Sequence, residues 1–396
     1  VLCGDHVTAL PQETLDNSLT DMVLQGGDYD FGLMSILDGT SKTAIVPPRR
    51  QRIANLGTVD VVGQRIVNFP TVTPLTNLPV INRALAKWWL YAYDNGNFIR
   101  TPATYLQSSR DCWWRHKKNE NELGGCGFCS WTSIFPNERH LSVEQVMAEV
   151  EACAVLGIKE IFDDAGTIMP GSWLEELCLQ LRQFNRVQLW QQARIIYGCN
   201  AKPGMFKTPA PWQMMAASGF RFCLMGLESA NQKTLDALNK GQTVEQIYRA
   251  CQWASEAGLH VHGTIMLGHP NETIEDTERT VEMVRTLFRH GWLRTVQFTL
   301  LMAYPGTQLF KDAERNGWLR YAHDWPSYDM RTPALTSPVS DDQLLGLVRR
   351  GYQTALSPQY AWHYFRTLRT WDEIAFLWRG LKLFLGHLTD FAGVHA

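Results

Sequence analysis

The chain has 396 residues, 45% hydrophobic and 19% charged, an ordinary globular composition with room for one large domain or two. Its net charge of −2 offers no global attraction for nucleic acid or an anionic membrane. Nine cysteines spread over this length exclude a short disulfide-stapled secreted domain and fit a reducing, cytoplasmic setting.

The opening, VLCGDHVTALPQETL, reads as an apolar strand running into a helix. It looks like the middle of a domain, so further chain is expected before Val1. Residues 1–40 predict a strand, a turn and helical pieces. Residues 41–103 lack periodicity and carry VPPRR and FPTVTPLTNLP, which predicts an irregular linker or covering segment.

From residue 104 the pattern turns regular. TYLQSS is a first strand. Ser142–Leu156 predicts a helix with Ser142 and Gln145 at capping-box spacing; Gly157 stops it before the strand IKEIFDD. SWLEELCLQLRQF predicts a helix, VQLWQQARIIYG an extended segment, WQMMAAS a helix ending at Gly219, and FRFCLMG a strand. Thr243–Ala257 is the next helix, again with Thr243 and Gln246 at capping-box spacing, and Gly258 precedes the strand LHVHGTIML. Glu275–His290 and the strand LRTVQFTLL complete the series.

Helices stopped by glycine and followed by short apolar strands imply an α/β fold with a parallel sheet under helices. A partial six-stranded βα barrel over residues 104–310 fits, with functional groups in the loops after the strand carboxyl ends. Residues 311–396 predict a helical, aromatic-rich segment. Its tail, IAFLWRGLKLFLGHLTDF, is interrupted by Arg379, Lys382 and His387, which excludes an integral membrane segment. It reads as an amphipathic core helix or as a helix at a membrane surface.

One stretch directly follows the first barrel strand: RDCWWRHKKNENELGGCGFCSW, residues 110–131. Cys112, Cys126 and Cys129 stand at C-x13-C-x2-C spacing. With His116 they could form a structural Cys3His zinc knuckle. The alternative is an iron–sulfur cluster on three thiolates, which leaves one iron open to a small molecule.

With Phe128 just before the last cysteine and motifs in order behind it, the chain resembles a radical S-adenosylmethionine (SAM) enzyme of the cobalamin-dependent class. That superfamily usually has C-x3-C-x2-C, so this stretch reads as the motif with an insertion after Cys112. FDDAGT stands where the family contacts the SAM amino group, which would give Asp163 and Asp164 that role; their other reading is helix capping. YGCNAKPG resembles a third-strand segment that often ends in arginine, but Lys202 stands here, and Cys199 reads as buried. In GLESANQKTLDALNKGQT, the resemblance assigns Glu228 to the ribose and includes Lys240, otherwise a surface charge. GTIMLGHPNET resembles the segment near the adenine, where Gly263 and Gly268 would permit close backbone approach. YPGT, residues 304–307, resembles the segment closing the sixth strand.

LCGDHVTALPQETLDNSLTDMVLQGGDYDF resembles the end of a Rossmann-like cobalamin-binding domain. The histidine that often ligates cobalt there would precede Val1, and His6 does not take that role. The resemblance therefore implies a 4Fe–4S cluster and SAM on this chain, with cobalamin held by the full-length protein. It implies a 5'-deoxyadenosyl radical and methyl transfer to an unactivated carbon, with radical cyclisation or oxidation behind it. It also implies a small-molecule or peptide substrate and an electron donor such as flavodoxin or ferredoxin. Tyr304, Trp325 and Tyr328 are pocket or core aromatics. No catalytic acid or base is assigned.

Overall fold

The computed structural model describes residues 1–53, 57–68, 73–93, 98–115, 124–135, 137–187, 194–354, 358–368 and 370–390. Contacts divide the chain into two compact units. The first comprises Val1–Asn77, Arg110–Arg139 and Ala303–Leu319; the second comprises Leu78–Ser109, His140–Met302 and Arg320–Ala396. Among the described residues, no helix is long and apolar enough to cross a membrane.

The first unit holds a four-stranded sheet in the order Leu2–Cys3, Met22–Gln25, Arg65–Asn68, Lys42–Ile45. The first three strands are parallel and the last pair antiparallel. Val23 and Val67 are fully buried, and Val7, Leu15, Val23 and Val46 pack into one cluster. Two of these strands come from the region expected to be an irregular linker. Lys42–Ile45 is exposed at all four positions, so no hydrophobic alternation announces it; pairing at the sheet edge makes it a strand.

The second unit holds six parallel strands: β1 (Ala103–Leu106), β2 (Glu160–Asp163), β3 (Ile196–Ala201), β4 (Phe220–Glu228), β5 (His260–Leu267) and β6 (Thr295–Leu300). Each lies beside its predecessor in the chain, the order of an open half-barrel. Crossover helices α1 (Val143–Val155), α2 (Ser172–Val187), α3 (Ala210–Ser218), α4 (Gln232–Ala237), α5 (Val244–Glu256) and α6 (Ile274–Arg289) connect them. Ser142 and Thr243 close reciprocal capping boxes with Gln145 and Gln246, as their spacing predicts.

Aromatic side chains pack along the first four strands. Phe98, Ala103, Phe162 and Phe222 form a buried cluster, with the Phe162 and Phe222 rings 5.7 Å apart. Gly198 on β3 makes room for both: a Cβ there would lie 3.1 Å from Phe162 Cδ2 and 3.3 Å from Phe222 Cβ. At the other edge, helix Asp341–Thr354 covers β6, where Phe298 N–H donates to the Tyr352 hydroxyl at 3.0 Å.

Strand β1 is held at both ends by carboxylates of β2. Glu160 accepts from the Ile99 and Arg100 N–H groups at 3.0 and 2.8 Å. Asp163 accepts from the Ser108 N–H at 2.9 Å. All carboxyl ends of a parallel sheet share one rim, which is where β2 to β5 present the residues considered next.

Candidate functional site

The cysteine segment follows β1 in sequence, yet its contacts assign it to the first unit. Buried Asp28 holds both ends of the segment, accepting from Arg110 Nη1 and from Arg139 Nη2, each at 2.8 Å. Gly27 N–H donates to Ile134 O at 2.9 Å, and Ser130 Oγ to Asp5 Oδ2 at 2.6 Å.

Cys112, Cys126 and Cys129 are half-buried, whereas Cys153, Cys178, Cys199, Cys223 and Cys251 are buried and Cys3 is exposed. The C-x-x-C closes a turn in which Cys129 N–H donates to Cys126 O at 3.1 Å, with Phe128 half-buried inside it. The YPGT segment packs on this turn. Leu309 N–H, just past YPGT, donates to Gly127 O at 2.8 Å. Gly306, at φ 86°, lies so close that a Cβ would stand 3.1 Å from Ala9 Cβ and 3.3 Å from Ser133 Oγ.

Burial, with smaller contributions from Cys126 and Cys112, pushes the Cys129 thiol up to about 12. The backbone N–H groups of Trp131 and Thr132 oppose this by bonding to its sulfur. The neutral thiol is thus favoured in the metal-free protein, and a thiolate at Cys129 needs a bound cation beside it. Among the described residues, no group of three or more His, Cys, Asp or Glu side chains gathers to hold a metal ion. Cluster ligands need not gather so tightly, because each thiolate binds a different iron. His116, the fourth donor of the zinc reading, and residues 116–123 lie outside the described residues. Three half-buried free thiols in one unit are the donor type of an iron–sulfur cluster.

In the second unit, Asp163 is fully buried at the end of β2, where it also accepts from the Tyr197 hydroxyl at 3.0 Å. Burial raises its carboxyl to about 6, against the pull of its bonds from Ser108 and Tyr197. Asp164 is exposed and accepts from Asn200 Nδ2 at 3.1 Å. Of the two aspartates, Asp164 is thus the one turned to solvent.

Glu228 ends β4 with φ 63°, and its Oε1 lies 2.7 Å from Lys240 Nζ. Gly226 lies directly against the pair: a Cβ there would collide with Glu228 Oε1 and stand 2.5 Å from Lys240 Nζ. Buried Lys202 donates to Gly241 O at 2.8 Å. Gly263 in β5 leaves space for Leu227 and Leu293, whose methyl carbons lie 2.8 and 3.0 Å from where its Cβ would be. Gly268, just past β5, has φ 90°, which requires glycine.

The structure therefore places the three cysteines in one unit and pairs Glu228 with Lys240 in the other. Tyr304 lies in the first unit; Trp325 and Tyr328 lie in the second, their rings 5.2 Å apart. Three features escaped the sequence reading. Asn200 orients Asp164. Asp111 and Arg115 pair beside Cys112. Glu272, 1% exposed, accepts from Ser229 Oγ and Thr234 Oγ1, each at 2.8 Å, and so ties the segment after β4 to the one after β5. All stand inside stretches singled out for other residues, and a buried carboxylate is the signal that could have found two of them.

Comparison with known proteins gives the same direction. Residues 123–284 match the family described as the Radical SAM superfamily. An uncharacterized methyltransferase of Pyrococcus horikoshii is 26% identical over 357 residues, covering 89% of this chain and 71% of that one. Bacteriochlorophyllide d C-8(2)-methyltransferase of Chlorobaculum tepidum is 27% identical over 153 residues, 37% of this chain and 33% of its own. Among solved structures, the radical SAM methyltransferase TsrM from Kitasatospora setae, with cobalamin and a 4Fe–4S cluster bound, matches with a TM-score of 0.59 at 16% identity. The match covers 91% of this chain and 72% of that one. At that identity the likeness is one of fold.

Proposed function

We propose that the chain is a radical SAM enzyme and that it serves cobalamin-dependent methyl transfer to an unactivated carbon. The observation that carries the radical half of this reading is the set of three half-buried free cysteines, Cys112, Cys126 and Cys129, in one unit. The methyl-transfer half is supported by the two methyltransferase relatives and by the three parallel strands of the first unit's mixed sheet, which suit a Rossmann-like domain.

When bound, a cluster of this kind supplies one electron for cleaving SAM to methionine and a 5'-deoxyadenosyl radical, and cobalamin supplies the methyl carrier. The residues of this chain then have separable tasks. Cys112, Cys126 and Cys129 would hold the cluster through their thiolates. Asp164, oriented by Asn200, offers a carboxylate to the cationic amine of SAM. Glu228, steadied by Lys240, offers an acceptor to ribose hydroxyls. Gly268 leaves its backbone open to an adenine, and Phe128 screens the cysteine turn from water.

The test is anaerobic reconstitution of the chain with iron and sulfide, followed by visible absorbance and EPR of the reduced protein with and without SAM. A visible band and an EPR signal that SAM perturbs are expected. A colourless protein with one zinc per chain would sink the radical reading. Titration with methylcobalamin then tests the finer claim, and methylated product must carry the label of methyl-deuterated SAM.

A further inference from the structure

The spacing of the cysteines departs from the pattern that motivates the reading above, and the described residues on either side of the departure are firmly held. Asp111, immediately before Cys112, is fully buried and sits at φ 68°, a conformation that side chains other than glycine rarely adopt. Its Oδ1 accepts from the Cys112 N–H at 2.9 Å, and its Oδ2 pairs with the Arg115 guanidinium. Arg115 Nη1 also donates to Phe135 O, just past the helix that follows Cys129. Arg115 N–H donates to Cys112 O at 2.9 Å. Both backbone groups of Cys112 are thus held, and the holding side chain reaches across to the far end of the Cys126–Cys129 turn.

The other stem meets this one. Gly125, immediately before Cys126, has φ 104°, and a Cβ there would stand 2.6 Å from Thr132 Cγ2 and 3.8 Å from Arg115 Cα. Arg115 and Gly125 are therefore neighbours in space although nine residues lie between them. Cys112 is three residues from Arg115, and Gly125 is the residue before Cys126.

We propose that Asp111 and Arg115 are positioning residues that clamp Cys112 beside Cys126 and Cys129, making cluster assembly independent of residues 116–123. This rests on the reading of Cys112 as a cluster ligand. It adds that a buried ion pair, rather than a short loop, holds the third thiolate. Removing residues 116–123 would leave Cys112 and Cys126 separated by five residues, close to the usual three.

The test compares the full chain with Δ116–123, Arg115→Ala, Arg115→Lys and the neutral double variant Asp111→Asn/Arg115→Gln. The readouts are iron and sulfide per chain, reduced-state EPR, and the rate of Cys112 alkylation in metal-free protein. Circular dichroism establishes that each variant is folded; the double variant serves if Arg115→Ala is not, because it leaves no buried charge unpaired. The deletion is expected to keep wild-type iron and an unchanged EPR line shape. Arg115→Ala, or the double variant in its place, is expected to lose iron several-fold and to alkylate Cys112 several-fold faster, and Arg115→Lys to recover most of both. A folded Arg115→Ala or double variant with wild-type iron and wild-type alkylation would overturn the clamp, as would a folded deletion that loses the cluster. A wild-type chain that takes up no cluster fails the radical reading instead, while the alkylation rates still report on the clamp.

Discussion

Lys240 Nζ lies 2.7 Å from Glu228 Oε1, and neither charge faces bulk water: the two side chains are 11% and 5% exposed. Removing one partner of such a pair costs about 3–5 kcal/mol, because the other stays buried and uncompensated. Lys240→Met is therefore expected to lower unfolding free energy by about 3 kcal/mol, and Glu228→Gln/Lys240→Met by distinctly less. Urea denaturation checks the difference. Gly226→Ala attacks the same pair by steric means and should cost about 1–3 kcal/mol. If Glu228 also serves the ribose, Glu228→Gln weakens SAM binding about tenfold, or about 1.4 kcal/mol, by anaerobic equilibrium dialysis.

Asp163 makes a pH prediction of definite sign. Burial raises its carboxyl from 3.8 to about 6 in the folded chain. The folded state thus binds more protons than the unfolded state between these values, so the contribution of Asp163 falls as pH rises from about 4 to about 6. Asp163→Asn lacks this titration but keeps an acceptor for the Ser108 N–H. The stability difference, variant minus wild type, should rise by about 2–3 kcal/mol across that window and stay level above it. A difference that is flat from pH 4 to 7 would contradict the placement of Asp163 inside the sheet.

Cysteine exposure predicts a labelling pattern. In native metal-free protein, iodoacetamide should modify Cys3, Cys112 and Cys126, with Cys129 slower because burial holds its thiol protonated. Cys153, Cys178, Cys199, Cys223 and Cys251 should react only after unfolding. Mass spectrometry of peptides reads this directly. After cluster reconstitution Cys112, Cys126 and Cys129 should all become protected while Cys3 stays reactive.

Glu272 should be structural in effect although it stands at the rim. Glu272→Ala leaves the Ser229 and Thr234 hydroxyls without this acceptor, and each buried loss of that kind costs about 1–3 kcal/mol. A total near 3 kcal/mol is expected. Glu272→Gln keeps an oxygen for one or both donors and should cost less than half as much. Thermal unfolding distinguishes them.

The half-barrel was legible because its signals are local. Ser142, Gln145, Thr243 and Gln246 mark helix starts by side chains that reach three residues along the chain. Glycines mark the stops, and the apolar runs between them have no other use than a doubly covered strand. The strand Lys42–Ile45 was not legible, since its partner Arg65–Asn68 lies some twenty residues away and its own side chains are exposed. The grouping of the cysteine segment with the first unit escaped for the same reason: Asp28 meets Arg110 and Arg139 only after both have folded back on it. Lys240 could not be told from a surface lysine, because its partner is set by the left-handed turn at Glu228 rather than by helical spacing.

The two carboxylates that fasten β1 have a consequence for its register. A slide of one residue along β2 would turn the side chains of Tyr105 and Leu106 to opposite faces and would break the N–H bonds to Glu160 and Asp163 together. An edge strand is ordinarily the place where a sheet yields to changes in chain length. Here it is pinned at both termini, so β1 behaves as a fixed datum. Length can vary beyond it, as it does between Cys112 and Cys126, without the change being passed back into the barrel.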